Sequence, residues 1–154
     1  VFEVNIITQN VDNLHERAGS TEVLHLHGQL FEAKSSLDNN AVLVWKKDIN
    51  IGDFDQNGNQ LRPNIVWFGE EVPNMSKAIK IVKKATTLIV IGTSLQVYPA
   101  AGLIDYCSEN CKIYYIDKNP NNQYSTLQKI ETIKATAIEG LQYLETKLTS
   151  LNNF

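Results

Sequence analysis

Strand-like and helix-like patterns alternate in the first part of the chain. Residues 1–7 are mostly apolar, as in a buried strand, and residues 12–18 have the spacing of a short helix that Gly19 ends. Residues 22–31 again predict a strand, which His27-Gly28 interrupts. This part of the chain therefore predicts a strand, a helix and a second strand.

The later part of the chain repeats this order. Strands are predicted at residues 64–68, 87–91 and 112–116, and helices at residues 76–85, 100–106 and 138–148. Residues 87–91 are apolar almost throughout, which is typical of a strand that is buried on both faces. Helices that alternate with such strands predict an α/β fold, with a Rossmann-like parallel sheet and helices on both of its faces.

Residues 35–62 interrupt this regular order. The stretch is polar and rich in Asn, Asp and Gly, which are the residues that form turns. We expect it to form a small, loop-rich insert within one domain that covers residues 1–154.

Composition and charge exclude several classes of protein. The 154 residues have a hydrophobic content of 43%, which suffices for one core, and a formal net charge of -3. Basic residues cluster only in pairs, so nucleic acid is not expected as a partner. No apolar run approaches the roughly 20 residues that cross a bilayer, and the start does not resemble a signal peptide. We therefore expect a cytoplasmic protein without a membrane partner.

The cysteines and histidines do not form a metal-binding pattern. Cys107 and Cys111 lie four positions apart, which is not the C-x-x-C spacing, and His15, His25 and His27 all lie near the start of the chain. A structural zinc site needs four such ligands close together. We expect no metal, and we expect both thiols to be buried, reduced and inert.

Polar side chains follow three of the predicted strands. They belong to Gln9, Asn10 and Asp12, then to Thr93 and Ser94, which follow Gly92, and finally to Asp117. Open α/β sheets bind ligands at the carboxyl ends of their strands, and a Gly-Thr-Ser turn offers N–H groups and hydroxyls to a phosphate or a ribose. Such turns are also common as plain tight turns, and a strand-end aspartate is more often a turn or helix cap. For Asp117 we favour the cap.

Five longer motifs occur in a fixed order. They are Thr8-Gln9-Asn10-Val11-Asp12-Asn13-Leu14-His15, Leu26-His27-Gly28, Arg62-Pro63-Asn64-Ile65-Val66-Trp67-Phe68-Gly69-Glu70, Gly92-Thr93-Ser94-Leu95-Gln96-Val97-Tyr98-Pro99-Ala100 and Ile116-Asp117-Lys118-Asn119-Pro120. This series resembles the ordered motifs of the sirtuins, from Val4 to about the last helix. The resemblance implies an NAD-dependent protein-lysine deacylase that uses NAD as cofactor and an acyl-lysine protein or peptide as substrate.

The sequence departs from the sirtuin pattern in two places. Sirtuins begin with a Gly-Ala-Gly-x-Ser segment that holds the NAD pyrophosphate, and the match here starts at the second main strand of the family. The resemblance therefore implies the rear two thirds of a sirtuin, either truncated or supplied with its front as a separate piece. The zinc module of the family usually carries two cysteine pairs, but Ser35 and the insert that follows contain no cysteine. The resemblance is to a zinc-free sirtuin.

The resemblance also implies catalytic roles. In sirtuins the amide oxygen of the acyl-lysine attacks C1′ of the nicotinamide ribose and nicotinamide leaves. His27 matches the base that takes a proton from the ribose hydroxyl, and a neutral imidazole near pH 7 suits that task. Asn10 and Asp12 match the nicotinamide pocket and complete the catalytic set. A structural role is the alternative for His27, and helix capping is the alternative for Asp12.

The same motifs imply the binding residues. Cofactor contacts are expected from Gln9, Asn10, Asp12, Gly92, Thr93, Ser94 and Asn119, and substrate contacts from Val66, Phe68, Gly69, Glu70 and Val97. The peptide would then add as a strand between two edges. Without the motif, Val66 and Phe68 would be interpreted as core residues. His25 lies where sirtuins often have Glu, and a metal site that pairs it with His27 is not favoured.

Three functions stay open at this point. The first is the deacylase, and the second is a truncated, non-catalytic fragment that acts as a folding or interaction module. The third is NAD hydrolysis or ADP-ribosyl transfer at the same site. A sheet without its first strand would also leave an edge or face uncovered, which predicts oligomerisation.

Overall fold

A computed structural model describes residues 2–37, 41–121, 123 and 129–151 of the chain. The chain divides into two compact units, residues 1–78 and residues 79–154, with the boundary inside a helix. Each unit has its own sheets, and we describe each unit by itself. The single domain expected from the sequence stays a prediction.

The first unit begins with a short parallel pair of strands. Strand β1 (Ile6–Thr8) pairs with β2 (Val23–His25), and helix α1 (Leu14–Arg17) connects them. The strand predicted at residues 1–7 was placed too early. Residues 2–5 lie outside β1 and are exposed, because only residues 6–8 have a partner strand; Val1 lies outside the described residues.

An antiparallel sheet in the order β4-β3-β5 completes the first unit. Its strands are β3 (Gly28–Ser35), β4 (Val42–Val44) and β5 (Leu61–Ile65). The insert expected at residues 35–62 is therefore loop-rich but contains a strand. The strand predicted at residues 64–68 begins at Leu61 and ends at Ile65. Strand β5 includes Pro63, which is tolerated because β5 lies at the edge of this sheet.

The loop between β4 and β5 is held together by the side chain of one glutamine. Gln60 Nε2 lies 3.0–3.1 Å from the backbone carbonyl oxygens of residues 50, 53 and 61, and Gln60 Oε1 accepts the N–H of Gly52 at 2.8 Å. One amide thus joins four points of the loop, which replaces part of the hydrogen bonding that a regular sheet would supply.

The second unit contains a parallel sheet in the order β6-β7-β8. Its elements are β6 (Thr87–Ile91), a 3₁₀ helix (Ala100–Tyr106), β7 (Lys112–Asp117), β8 (Ile130–Lys134) and helix α3 (Ala137–Leu151). Helix α2 (Met75–Lys84) contains the boundary between the units. The α/β class, the parallel strands and most helix positions are confirmed, whereas β4 and β8 were not predicted.

Strand β7 carries the core of the second unit on both of its faces. On one face, Ile113 and Tyr115 of β7 belong to a buried cluster that also contains Leu95, Ala101, Ile104, Cys111 and Ile130. The other face packs Tyr114 and Ile116 against Leu144 of α3. Gly140 permits this close approach, since a Cβ there would lie 2.4 Å from Ile116 Cγ2. Helices therefore cover both faces of this sheet.

Strand β6 is less buried than its sequence predicts. Its side chains alternate, with Leu88 and Val90 against the core and Ile89 and Ile91 each 38% exposed. The continuous apolar run suggested burial on both faces, but β6 is an edge strand of its sheet.

Among the described residues, no helix is both long enough and apolar enough to span a membrane.

Candidate functional site

The turn between β1 and α1 carries three of the predicted site residues. Thr8 Oγ1 accepts the N–H of Asn10 at 3.1 Å, and Asp12 Oδ1 accepts the N–H of Leu14 at 3.0 Å. Asp12 therefore forms a turn that leads into α1, whereas the N-cap residue is Asn13, which makes no side-chain cap hydrogen bond. Gln9 and Asp12 are half-buried, while Asn10 is exposed. The turn that presents these polar side chains is thus held by two hydrogen bonds.

His27 lies directly after β2 and faces this turn. Its Nδ1 atom is 3.2 Å from the carbonyl oxygen of Gln9. A carbonyl oxygen can only accept, so Nδ1 must carry the proton in this hydrogen bond. In the neutral ring that leaves Nε2 with a free lone pair, which is the tautomer that a general base needs.

Gly28 allows the backbone beside His27 to pack closely against β5. Its φ is +84°, and a Cβ at this position would lie 1.8 Å from the carbonyl oxygen of Asn64. The N–H of Val66 donates to the carbonyl oxygen of His27 at 2.9 Å. A predicted catalytic residue and a predicted substrate residue are thus joined by a backbone hydrogen bond.

The segment after β5 exposes large apolar side chains. Phe68 is 98% exposed and Trp67 is 58% exposed, while Val66 is half-buried. Gly69 has a φ of +90°, which a turn at this position requires. Exposed aromatic side chains beside a strand are suited to bind another polypeptide.

Glu70 is tied into the protein rather than free. Its carboxylate accepts two hydrogen bonds from the Arg62 guanidinium at 2.6 and 2.7 Å and one from the N–H of Trp67 at 3.1 Å. The Arg62 hydrogen bonds, followed by that from Trp67, lower the pKa of Glu70 to about 2. Glu70 is therefore positioned to fix the turn that presents Phe68, and a direct substrate contact stays a prediction.

The Gly92-Thr93-Ser94 turn lies in the second unit, at the carboxyl end of β6. Gly92 has a φ of +62°, and an added Cβ would meet no atom within 4 Å, so its backbone faces open space. Thr93 Oγ1 accepts the N–H of Leu95 at 3.2 Å. Val97, further along this loop, is 45% exposed. The space beside Gly92 leaves room for a ligand, while the Gly92 N–H itself donates to the carbonyl oxygen of Ile116 at 3.0 Å.

The loop after β7 is tied to this turn through a tyrosine. The hydroxyl of Tyr115, a fully buried residue, donates to the carbonyl oxygen of Thr93 at 3.0 Å and accepts the N–H of Asn121 at 3.1 Å. Asn121 Nδ2 also lies 3.4 Å from the carbonyl oxygen of Ser94. Tyr115 was not predicted as a site residue, since an aromatic residue in an apolar run is typical of a core.

Asn119 is exposed beside these residues. Its N–H donates to Asp117 Oδ1 at 2.7 Å, so Asp117 caps the turn, as expected. The predicted site residues thus form two separate groups, one within each unit. The first group surrounds His27, and the second surrounds Thr93.

Of the two cysteines, which were both expected to be buried, only Cys111 is fully so. Cys111 is buried and Cys107 half-buried, and both are free thiols. Burial, followed by the neighbouring Cys111, raises the pKa of Cys107 to about 12, so it stays protonated and unreactive at neutral pH. Among the described residues, no group of three His, Cys, Asp or Glu side chains could hold a metal ion.

Comparison with known proteins identifies the family. Residues 2–99 match the sequence model of the Sir2 family. The NAD-dependent protein deacylase of Helicobacter pylori strain 26695 is 51% identical over 150 residues, which are 97% of this chain and 65% of the relative. That of Bacteroides thetaiotaomicron is 45% identical over 150 residues, covering 94% of this chain and 64% of the relative. The chain thus spans somewhat less than two thirds of their length.

Solved structures agree with this result. A mutant Sir2 homologue in complex with 2′-O-acetyl ADP-ribose superimposes with a TM-score of 0.81 at 32% identity, over 98% of this chain and 62% of that one. A Sir2 homologue in complex with NAD gives a TM-score of 0.78 at 33% identity, over 94% of this chain and 59% of that one. From its motifs, its fold and these relatives, the chain belongs to the Sir2 family.

Proposed function

We propose that the protein is an NAD-dependent protein-lysine deacylase. The observation that carries the proposal is the hydrogen bond between His27 Nδ1 and the Gln9 carbonyl oxygen, 3.2 Å long, which leaves Nε2 free as a base. The relatives from Helicobacter pylori and Bacteroides thetaiotaomicron carry the name of this activity, which supports the proposal.

In this reaction NAD supplies the ADP-ribosyl group that accepts the acyl group, and nicotinamide is released. His27 would take a proton from a ribose hydroxyl at Nε2 while its Nδ1–H keeps the ring aligned through Gln9. Such alignment matters because a base contributes to the rate only from within hydrogen-bond reach.

Within each unit, the predicted cofactor residues offer groups of the kind that the proposed ligand needs. Gln9, Asn10 and Asp12 offer amide and carboxylate groups on a turn that is held by the side-chain oxygens of Thr8 and Asp12, which accept backbone N–H groups. Gly92 supports a second contact, because the open space above its backbone leaves room for a phosphate or a ribose. Thr93, Ser94 and Asn119 would add hydroxyl and amide groups there.

The acyl-lysine segment would bind along the chain that follows β5. Val66, Phe68 and Gly69 offer a strand edge with exposed apolar side chains, and Val97 offers a second exposed segment. Glu70 would contribute by holding the turn through Arg62.

We also propose that the insert needs no zinc. Ser35 and Asp55 are both buried, and Asp55 Oδ1 accepts the N–H groups of Asn57 and Asn59 at 2.8 Å each. These hydrogen bonds, with Asn59 first, lower the pKa of Asp55, so the carboxylate stays charged and bonded near neutral pH. Together with the Gln60 amide, they supply the cross-links that a metal would otherwise provide.

Removal of metal should therefore leave the protein unchanged. We expect the melting temperature to shift by less than about 1 °C after dialysis against a strong chelator, and elemental analysis to find no stoichiometric zinc. Gln60→Ala should lower the melting temperature instead, because it removes hydrogen bonds worth roughly 1 kcal/mol each. A fall in melting temperature on chelation that added zinc reverses would contradict the metal-free insert.

A cytoplasmic location and a protein substrate complete the proposal. The two free thiols support a reducing compartment, since disulfides are rare there. Oligomerisation and the absence of nucleic-acid and membrane partners stay predictions.

Nicotinamide release tests the function. With NAD alone, the full-length protein should release little nicotinamide, and an acetyl-lysine peptide should raise the rate in proportion to peptide consumed. Release without the peptide would favour NAD hydrolysis. ADP-ribosylated protein without deacylated peptide would favour the transferase, and no NAD affinity by calorimetry would favour the non-catalytic module.

A further inference from the structure

A second histidine lies close to the predicted catalytic one and is fully hydrogen-bonded. His25, at the end of β2, is only 5% exposed. Its Nδ1 atom lies 2.9 Å from the carbonyl oxygen of Asn10, and its Nε2 atom lies 2.8 Å from Glu16 Oε1 in α1. Its own carbonyl oxygen accepts a hydrogen bond from Asn74 Nδ2 at 2.8 Å. The ring is thus fixed at both of its nitrogens.

The identity of these partners determines the charge of the ring. A carbonyl oxygen and an ionised carboxylate can only accept hydrogen bonds, and a neutral imidazole has one N–H to donate. The hydrogen bond with His25 is the largest cause of a lowered pKa at Glu16, so Glu16 is ionised near neutral pH. Both hydrogen bonds of His25 therefore exist together only when the ring is an imidazolium.

The charges around His25 favour this form. Burial, the largest single influence, lowers the pKa of His25, but the hydrogen bonds to Glu16 and Asn10 and the charges of Glu16 and Asp12 together outweigh it and raise the pKa. His15 acts on the same pair from α1 by lowering the pKa of Glu16. Asn74 is uncharged.

His25 and His27 both hold the turn that carries the predicted site. His27 Nδ1 binds the carbonyl oxygen of Gln9, and His25 Nδ1 binds that of Asn10, so the histidine that ends β2 and the one two residues later hold two consecutive carbonyls. We propose that His25 is a positioning residue of this site: as an imidazolium it links the Glu16 carboxylate to the Asn10 carbonyl and fixes the turn that presents Asn10 and Asp12. Its effect on catalysis rests on the proposed function, but its charge and its hold on the turn do not.

The link that His25 makes between the Glu16 carboxylate and the Asn10 carbonyl should form within a defined pH range. Because the pKa of His25 is raised by folding, its contribution to stability is present at pH values below about 6.5 and is lost as the pH rises through the folded pKa. Because the pKa of Glu16 is lowered, its contribution is lost only as the pH falls below about 4.5. The turn should therefore be held from weakly acidic pH up to the folded pKa of His25, and released above it.

Nuclear magnetic resonance of the full-length protein tests the charge and the link. At pH 6, below the usual pKa of histidine, both ring nitrogens of His25, assigned by their loss in His25→Gln, should have the 15N shifts of an imidazolium, and the ring should titrate above about pH 6.5. Glu16→Gln should move the His25 titration to lower pH, whereas Glu22→Gln, which removes an exposed carboxylate of the same unit, should not. The 13C shift of the Asn10 carbonyl should follow the same midpoint as the ring.

Kinetics test the effect on the site. In the wild type, kcat/KM for NAD should fall above the midpoint of His25, and in Glu16→Gln this fall should begin at lower pH, with KM for the peptide unchanged. A His25 ring that titrates below about pH 6.5, an Asn10 carbonyl that ignores the titration, or a pH profile of Glu16→Gln equal to that of Glu22→Gln would overturn the proposal. A wild type without deacylase activity would contradict the proposed function, and the resonance data would still decide the charge and the link.

Discussion

His27→Ala is expected to abolish deacylation while the fold is retained. The imidazole is the group whose free Nε2 would act as base, and loss of a general base typically lowers a rate by about 10²–10⁴-fold. The ring is half-buried and makes one hydrogen bond of 3.2 Å, to a backbone carbonyl at the surface of the turn. Its removal should cost only about 1 kcal/mol of unfolding free energy. The measurement is peptide-dependent nicotinamide release, with a thermal melt of the same sample.

His15→Ala is the matched control for this variant. His15 is a histidine of the same unit, in α1, and it is not among the predicted catalytic or binding residues; its influence there is limited to lowering the pKa of Glu16, where it is the smallest of the causes. It should keep nearly all of the wild-type rate. Retention of full activity by His27→Ala would show that another group is the base, whereas equal losses in both variants would point to a structural cause.

Gly28→Ala is expected to be the most destabilising single substitution at this site. The added Cβ would lie 1.8 Å from the Asn64 carbonyl oxygen, far inside van der Waals contact, and φ is +84°. The backbone conformation costs roughly 1–2 kcal/mol for a residue with a Cβ. Relief of the contact must separate β3 from β5, which adds at least about 1–3 kcal/mol. Chemical denaturation should therefore show a loss of roughly 3 kcal/mol or more.

Gly58→Ala separates the two causes. Gly58 has nearly the same φ, +80°, but an added Cβ there would meet no atom within 4 Å. This control should lose only the roughly 1–2 kcal/mol of the backbone conformation. If Gly28→Ala were no more destabilising than Gly58→Ala, the tight packing of Gly28 against Asn64 would be wrong.

Regular spacing in the sequence predicted most of the second unit. Residues 87–91 have the bounds of β6, and the strand predicted at residues 112–116 is β7 with one residue more. The predicted helix at residues 76–85 lies within one residue of α2. These elements are found because apolar spacing follows directly from which face is buried. The exposure of Ile89 was not predicted, since burial depends on which strands are neighbours.

The missed features depend on contacts between distant parts of the chain. Strand β4 has three residues, too few for a pattern, and β5 contains a proline that argues against a strand. The link of Tyr115 to Thr93 and the ion pair of Arg62 with Glu70 need the register of the folded chain. The Asn10, Asp12 and His27 set was predicted from motifs, whereas the two hydrogen bonds of His25 became visible only in the structure.

Mass spectrometry of the reaction products tests the central claim most directly. The full-length protein would be incubated with NAD and an acetyl-lysine peptide, and the products searched for O-acetyl-ADP-ribose. We expect this product in equal amount to the deacetylated peptide and to nicotinamide, and its loss in His27→Ala. Deacetylated peptide with free acetate and intact NAD, or ADP-ribose without any acyl group, would contradict an NAD-dependent deacylase.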